Sequence, residues 1–210
     1  NYAQMLKQIE AKMSAGFRCI KLKIGAIRFE EELSLLHFIR SHFSVNEIEL
    51  RVDANGAFTP MDVMDKLKRL AELDLHSIEQ PIRAGHWDDM ARLAASTPLP
   101  IALDEELIGI NNPVDKQRLL DMIRPQYIIL KPSLHGGIIG GHEWIDEAEK
   151  RNIGWWITSA LESNIGLNAI AQWCATFGNP LPQGLGTGSL FTDNIEMPLE
   201  IRKDCLWYKP

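Results

Sequence analysis

A parallel α/β barrel is the fold this sequence predicts, and three observations predict it. Short apolar runs recur along the 210 residues, alternating with stretches of helical period. Five of the runs end in a charge: Cys19-Ile-Lys-Leu-Lys23, Glu49-Leu-Arg-Val-Asp53, His76-Ser-Ile-Glu79, Ile101-Ala-Leu-Asp104 and Tyr127-Ile-Ile-Leu-Lys131. Those charges are spaced by 30, 26, 25 and 27 residues, the length of a strand, a helix and two loops. A charge at the C-terminal end of each successive strand is how a TIM-type (β/α) barrel builds an active site. Five in phase with the repeat are poorly explained as solvated surface.

The elements follow in order. Met5, Leu6, Ile9 and Met13 share one helical face, and Gly16 is placed to stop that helix. Ile20, Leu22 and Ile24 alternate with Lys21 and Lys23, so a strand there sends its apolar set to the helices and both lysines into the barrel. Residues 30–43 read as a helix with Leu33, Leu36 and Phe43 in the core, and 48–53 as a strand that leaves Asn55 on the face of Asp53. Pro60 opens a helix at 61–73. A strand at 76–80 ends at Pro81, and helix 86–95 leads through Pro98 and Pro100 to strand 101–104. Pro113 starts helix 113–122, and strand 126–131 ends at Pro132. Gly136, Gly137, Gly140 and Gly141 suggest a flexible loop before helix 142–151. Strand 153–159 carries Trp155 and Trp156 as packing residues on opposite faces, and helix 164–177 precedes a last short strand at 182–186. Seven strands are counted and a closed barrel needs eight, so a barrel domain over 1–192 is expected to lack its first strand. Residues 193–210 are expected to be irregular and to pack on the barrel or on a further domain.

Composition narrows the function classes. A net charge of −6 provides no basic footprint for nucleic acid. No apolar run reaches the length of a membrane span, and no signal-peptide pattern opens the chain. Cys19, Cys174 and Cys205 are odd in number and lack C-x-x-C spacing, which suits free thiols in a reducing, cytoplasmic setting. A small-molecule substrate is therefore expected, with a homo-oligomer open.

Three carboxylates aimed into one mouth repel each other, and burial raises their pKa values. A hard divalent cation removes that conflict. An all-oxygen set suits Mg²⁺, with Mn²⁺ as an alternative, and disfavours zinc. A lysine acts as a base only when its proton is made easier to lose; Lys21 supplies Lys23 with a like-charged neighbour, or else pairs with a carboxylate. The six histidines show no ligand spacing, and His135, closest to the expected mouth, reads as a loop residue. The glycine loops at 136–141 and 184–188 match no phosphate-binding consensus.

With these residues in place, a resemblance becomes specific. Lys21-Leu-Lys23, Val52-Asp-Ala-Asn55, Ile78-Glu-Gln-Pro81, Leu103-Asp-Glu105 and Leu130-Lys-Pro132 resemble the enolase superfamily, muconate-lactonizing subgroup, in the right order along the whole chain. The resemblance implies a Mg²⁺ site of Asp53, Glu79 and Asp104, acid/base lysines at Lys23 and Lys131, and Lys21, Asn55 and Glu105 in support. It also implies an N-terminal capping domain, which is expected to lie outside these residues. Thr158-Ser-Ala-Leu-Glu-Ser163 and Gly184-Leu-Gly-Thr-Gly188 look like the o-succinylbenzoate synthase branch of the subgroup. That likeness implies substrate contacts at Ser159, Glu162, Gly186 and Thr187, and a dehydration in menaquinone biosynthesis on a dicarboxylate. The Asp-x-Asp motif that dipeptide epimerases carry at the end of the last strand is replaced here by Gly-Leu-Gly-Thr-Gly. Racemisation of N-succinylamino acids uses the same residues and stays open. So do a Schiff-base aldolase barrel using Lys131 and a non-catalytic carboxylate-binding barrel.

Overall fold

The computed structural model describes residues 1–186 and 191–209. They divide into two compact units, the first of residues 1–106 and 122–126, the second of 107–121 and 127–210.

In the first unit, α1 (Tyr2–Ser14), β1 (Cys19–Lys23), α2 (Phe29–His42), β2 (Glu49–Asp53), α3 (Val63–Ala71), β3 (Ser77–Glu79), α4 (Trp87–Ser96) and β4 (Ile101–Leu103) follow one another. The strands pair in chain order, all parallel. Leu50, Val52, Ile78, Ile101 and Leu103 are fully buried, together with Leu35, Leu36, Ile39, Leu67 and Leu70 of the helices. Such strands have cover on both faces, as parallel sheets require. β1 alternates as expected: Ile20 and Leu22 are buried, Lys21 and Lys23 are not. Gly16 ends α1 in the left-handed region, at φ +84°.

The second unit holds most of α5 (Pro113–Ile123), then β5 (Tyr127–Leu130), α6 (Gly137–Glu149), β6 (Gly154–Ile157), α7 (Asn164–Cys174), β7 (Leu199–Arg202) and β8 (Cys205–Tyr208). β5 and β6 are parallel. Its core is rich in indole: Trp144, Trp155, Trp156 and Trp173 are buried, while Trp207 is exposed. Trp156 packs on Tyr127 and Trp155 on Phe177, with ring centroids 5.5 and 5.2 Å apart, which fits opposite faces of one strand.

Three expectations are corrected. The strand at 182–186 shrinks to one parallel bridge between Thr158 and Gly184. Pro182 has no N–H to offer, the side chain of Gln183 takes the Ile157 N–H at 2.7 Å, and only Gly184 completes the ladder. Residues 193–210 are not irregular throughout, because β7 and β8 form an antiparallel hairpin turned at Lys203 and Asp204. Lys203 adopts φ +56° without the glycine that usually marks such a turn. The glycines before residue 142 do not form a flexible loop either, since Gly140 and Gly141 lie buried inside α6. A Cβ on Gly140 would fall 1.9 Å from the His135 carbonyl oxygen, and one on Gly141 would fall 2.6 Å from the Trp173 ring. These glycines permit close approach.

Two outcomes follow. Gly140→Ala raises helix propensity, yet overpacking against backbone wins, and a net loss of about 1–3 kcal/mol is expected in urea unfolding. Glu147, buried on α6, accepts from Lys150 at 2.7 Å and from Arg151 at 2.6 Å, and the Lys150 hydrogen bond leads in holding its pKa below the ordinary range. A carboxyl depressed in the folded state adds stability above its unfolded pKa and loses it as pH falls through the folded one. The urea midpoint of wild type should therefore exceed that of Glu147→Gln at pH 7, with the gap closing below about pH 4.3, the unperturbed glutamate value.

Candidate active site

β1, β2 and β3 end in register, with Lys23 opposite Asp53 and Asp53 opposite Glu79. Asp53 and Asp104 are wholly buried, and Glu79 nearly so. Asp53 and Glu79 share an ammonium: Lys21 Nζ lies 3.2 Å from Asp53 Oδ2 and 2.7 Å from Glu79 Oε2. Lys23 Nζ reaches the same Asp53 oxygen at 2.8 Å and donates to Asn55 Oδ1 at 2.6 Å. Lys21 is the deeper of the two, with its side chain 35% exposed against 65% for Lys23.

The electrostatics follow from this layout. Burial pushes Glu79 up to about 8, opposed by Lys21 and reinforced by Asp53 and Asp104, the last also through a hydrogen bond. Burial acts the same way on Asp53, but Lys21 and Lys23 outweigh it and hold that carboxyl below its ordinary value. Burial would lower Lys21, and Glu79 and Asp53 overcome it to raise its pKa. The carboxylate-pairing alternative for Lys21 is thus the arrangement seen.

Asn55 sits at φ +43°, a conformation asparagine tolerates. Its N–H donates to Asp53 Oδ1 at 3.0 Å and its amide to Glu105 Oε1 at 2.8 Å, so Lys23, Asp53 and Glu105 are joined through it. Gln80, φ +37° and fully buried, is a brace that sequence reasoning passed over. Its Oε1 accepts the N–H groups of Asp104 and Glu106 at 3.2 and 3.3 Å, and its Nε2 donates to the Ile82 carbonyl and Glu106 Oε2. The only sequence signal was an uncharged polar residue immediately after a strand-end acid.

In the second unit Lys131 follows β5 and is half-buried. Its N–H donates to His135 Nδ1 at 3.1 Å. Ser159 and Glu162 meet each other: Glu162 accepts from Ser159 Oγ at 2.7 Å, from the Ala160 N–H and from Ser133 Oγ at 2.5 Å. Gly186 is exposed. Thr187 lies outside the described residues.

Residues 4–208 match the model of the family described as "Enolase C-terminal domain-like". The chain belongs to the enolase C-terminal domain-like family. An o-succinylbenzoate synthase from Desulfotalea psychrophila is 57% identical over 199 residues, 95% of this chain and 54% of that protein. The o-succinylbenzoate synthase of Bacillus subtilis is 28% identical over 95% of this chain and 52% of its own length. The crystal structure of MenC from D. psychrophila superposes with a TM-score of 0.91 at 54% identity, over 98% of this chain and 57% of that one. Muconate lactonizing enzyme from Pseudomonas putida gives 0.87 at 25% identity, over 100% and 58%. The chain spans about half the length of the curated relatives it matches. The fold class expected from the sequence, an α/β barrel domain of the enolase type, is thereby established.

The strand-end acids present oxygen donors of the kind a divalent cation takes. The donor set is all oxygen, and Glu79 Oε1 is buried with no hydrogen-bond partner among the described residues. The expected closure of three carboxylates on one point is not seen, and no group of three or more potential ligands is arranged to hold an ion among the described residues. The physical reason is local, in that the Lys21 ammonium satisfies Asp53 and Glu79 together. The chemistry of the donors still fits, because burial first, and the neighbouring Asp53 and Asp104 after it, lift Glu79, and a hard cation would offset both.

The brace gives a test of its own. Gln80→Ala should lower stability by about 1–3 kcal/mol for each buried group left unsatisfied. Urea denaturation measures it, and a loss below that range would show that Gln80 holds nothing in place.

Proposed function

We propose that this chain carries the reacting residues of an o-succinylbenzoate synthase, a hydro-lyase acting on 2-succinyl-6-hydroxy-2,4-cyclohexadiene-1-carboxylate in menaquinone biosynthesis. The observation that carries the reading is the Lys21–Lys23–Asp53–Glu79 network at the ends of β1, β2 and β3. The 57% identical synthase supports it. Asp53, Glu79 and Asp104 would hold Mg²⁺, or Mn²⁺ in its place. When bound, such an ion draws charge from a substrate carboxylate and makes the α-proton more acidic.

The chain's own residues do the rest. Lys23 is the more exposed of the two β1 lysines and the one able to reach a substrate, and its partners Asp53 and Asn55 aim its stem. It takes the α-proton, and the ammonium formed gives that proton to the hydroxyl leaving the neighbouring carbon. One C–H and one C–O bond break, a ring double bond forms, and water departs. Lys21 stays with Asp53 and Glu79 as a fixed counter-charge, while Asn55 and Glu105 keep Lys23 in line. Lys131 is assigned the stabilising cation for charge developing on the ring. Ser159 and Glu162, hydrogen-bonded to one another, are assigned as substrate contacts. Gly186 and Thr187 are assigned to the succinyl carboxylate on the likeness to the synthases alone.

The test uses the full-length protein with Mg²⁺ and substrate, read by absorbance of the aromatic product. Lys23→Ala should cut turnover by about 10²–10⁴-fold, the usual worth of a positioned general base, and leave Mg²⁺ binding in calorimetry nearly intact. Run in deuterated water with an N-succinylamino acid beside the native substrate, the same assay separates dehydration from racemisation. α-Deuteration without aromatic product would sink the synthase reading.

A further inference from the structure

We propose that His135 is a positioning residue for Lys131, fixing the direction in which that lysine leaves β5. The inference rests on the role given to Lys131 above. Residues 131–135 form a closed turn. The Leu134 N–H donates to the Lys131 carbonyl at 2.8 Å, the His135 N–H to the Pro132 carbonyl at 3.2 Å, and the Lys131 N–H to His135 Nδ1 at 3.1 Å. Pro132, at the start of the short 3₁₀ turn, adds a fixed φ and no donor. The last hydrogen bond differs from the other two because its acceptor is a side chain. It therefore ties the backbone of Lys131 to the placement of one ring.

That ring is held. His135 has no solvent exposure, and its centroid lies 6.4 Å from that of buried Trp144. α6 presses on its carbonyl at Gly140, where even a Cβ would collide. Ser133, inside the same turn, donates to Glu162, so the turn is fastened on a second side as well. A nitrogen that accepts from a backbone N–H carries no proton of its own, so the imidazole is the Nε2–H tautomer. Buried, with Nδ1 committed to backbone, His135 is not a group that meets substrate. Its effect passes through Lys131.

Side chains that differ in where they present an acceptor separate positioning from mere filling of space. Asn Oδ1 stands where histidine Nδ1 stands, one bond beyond Cγ, whereas Gln places its oxygen farther out and Leu has no acceptor. In the full-length protein with Mg²⁺ and the cyclohexadiene substrate, His135→Asn should keep kcat within about threefold. His135→Gln and His135→Leu should lower kcat by about ten- to a hundredfold with KM little changed, the loss expected when a reacting group is misplaced by a fraction of an ångström to one ångström. Circular dichroism and melting on each variant show whether it is folded, and the Asn and Gln pair decides the matter if Leu is not. Independently of turnover, ¹⁵N spectra of labelled protein should show an unprotonated Nδ1 and a protonated Nε2 on His135. An Nδ1–H ring, or equal kcat for Asn and Gln, overturns the proposal. Lys131→Ala is run alongside: full activity there would sink the assignment of Lys131 itself, while the ring spectra still report on the turn.

Discussion

Two carboxylates buried side by side at adjacent strand ends can coexist here because one ammonium bonds to both. Lys21 provides it, and the rest of the first unit is arranged around that fact. β1 must alternate so that Ile20 and Leu22 are buried while the lysines face the acids. β1, β2 and β3 must end in register, or Lys21 could not reach both Asp53 and Glu79. The compensation is partial: Asp53 ends below its ordinary pKa and Glu79 far above. Two ammonium groups, Lys21 and Lys23, stand against three buried acids, Asp53, Glu79 and Asp104, which leaves the cluster short of positive charge. That shortfall is what a hard divalent cation would relieve.

The two units solve the same local problem by different means. A strand-end side chain is only as well placed as the backbone that follows it. After β2 and β3 the chain enters the left-handed region at Asn55 and Gln80; the Asn55 N–H donates back to the Asp53 carboxylate, while the Gln80 amide donates to the Ile82 carbonyl and accepts from the Asp104 N–H. After β5 the fastening comes from a 3₁₀ turn closed by an imidazole. Polar side chains thus replace the sheet hydrogen bonds that the backbone gives up as it leaves the strand.

Much of this was legible in the sequence because charge and alternation are local signals. Lys23, Asp53, Glu79, Asp104 and Lys131 announced themselves through the repeat and Lys21 through the alternation of β1, and the helices other than α6 fell close to their expected ranges. What failed to show was whatever no charge, alternation or usual turn residue marks. Gly140 and Gly141 read as loop because glycine's usual meaning is freedom, and nothing nearby in sequence reveals that Trp173 and the His135 carbonyl crowd them. The hairpin of β7 and β8 was hidden by a Lys-Asp turn with no glycine to mark it. Gln80 carried no charge to draw notice, and His135 gave no ligand spacing, so both were silent until the turns they fasten could be seen.

The tryptophans have a practical meaning for anyone following this protein by its emission. Five of the six indoles belong to the second unit, and four of them are buried there, while the first unit has only the half-buried Trp87. Intrinsic fluorescence is thus a reporter for one unit. Quenching or a red shift on unfolding records loosening around β5, β6, α6 and α7, and is nearly blind to the strands that carry the acids. A first unit that opened early, or closed on a metal ion, would pass almost unseen in such a trace.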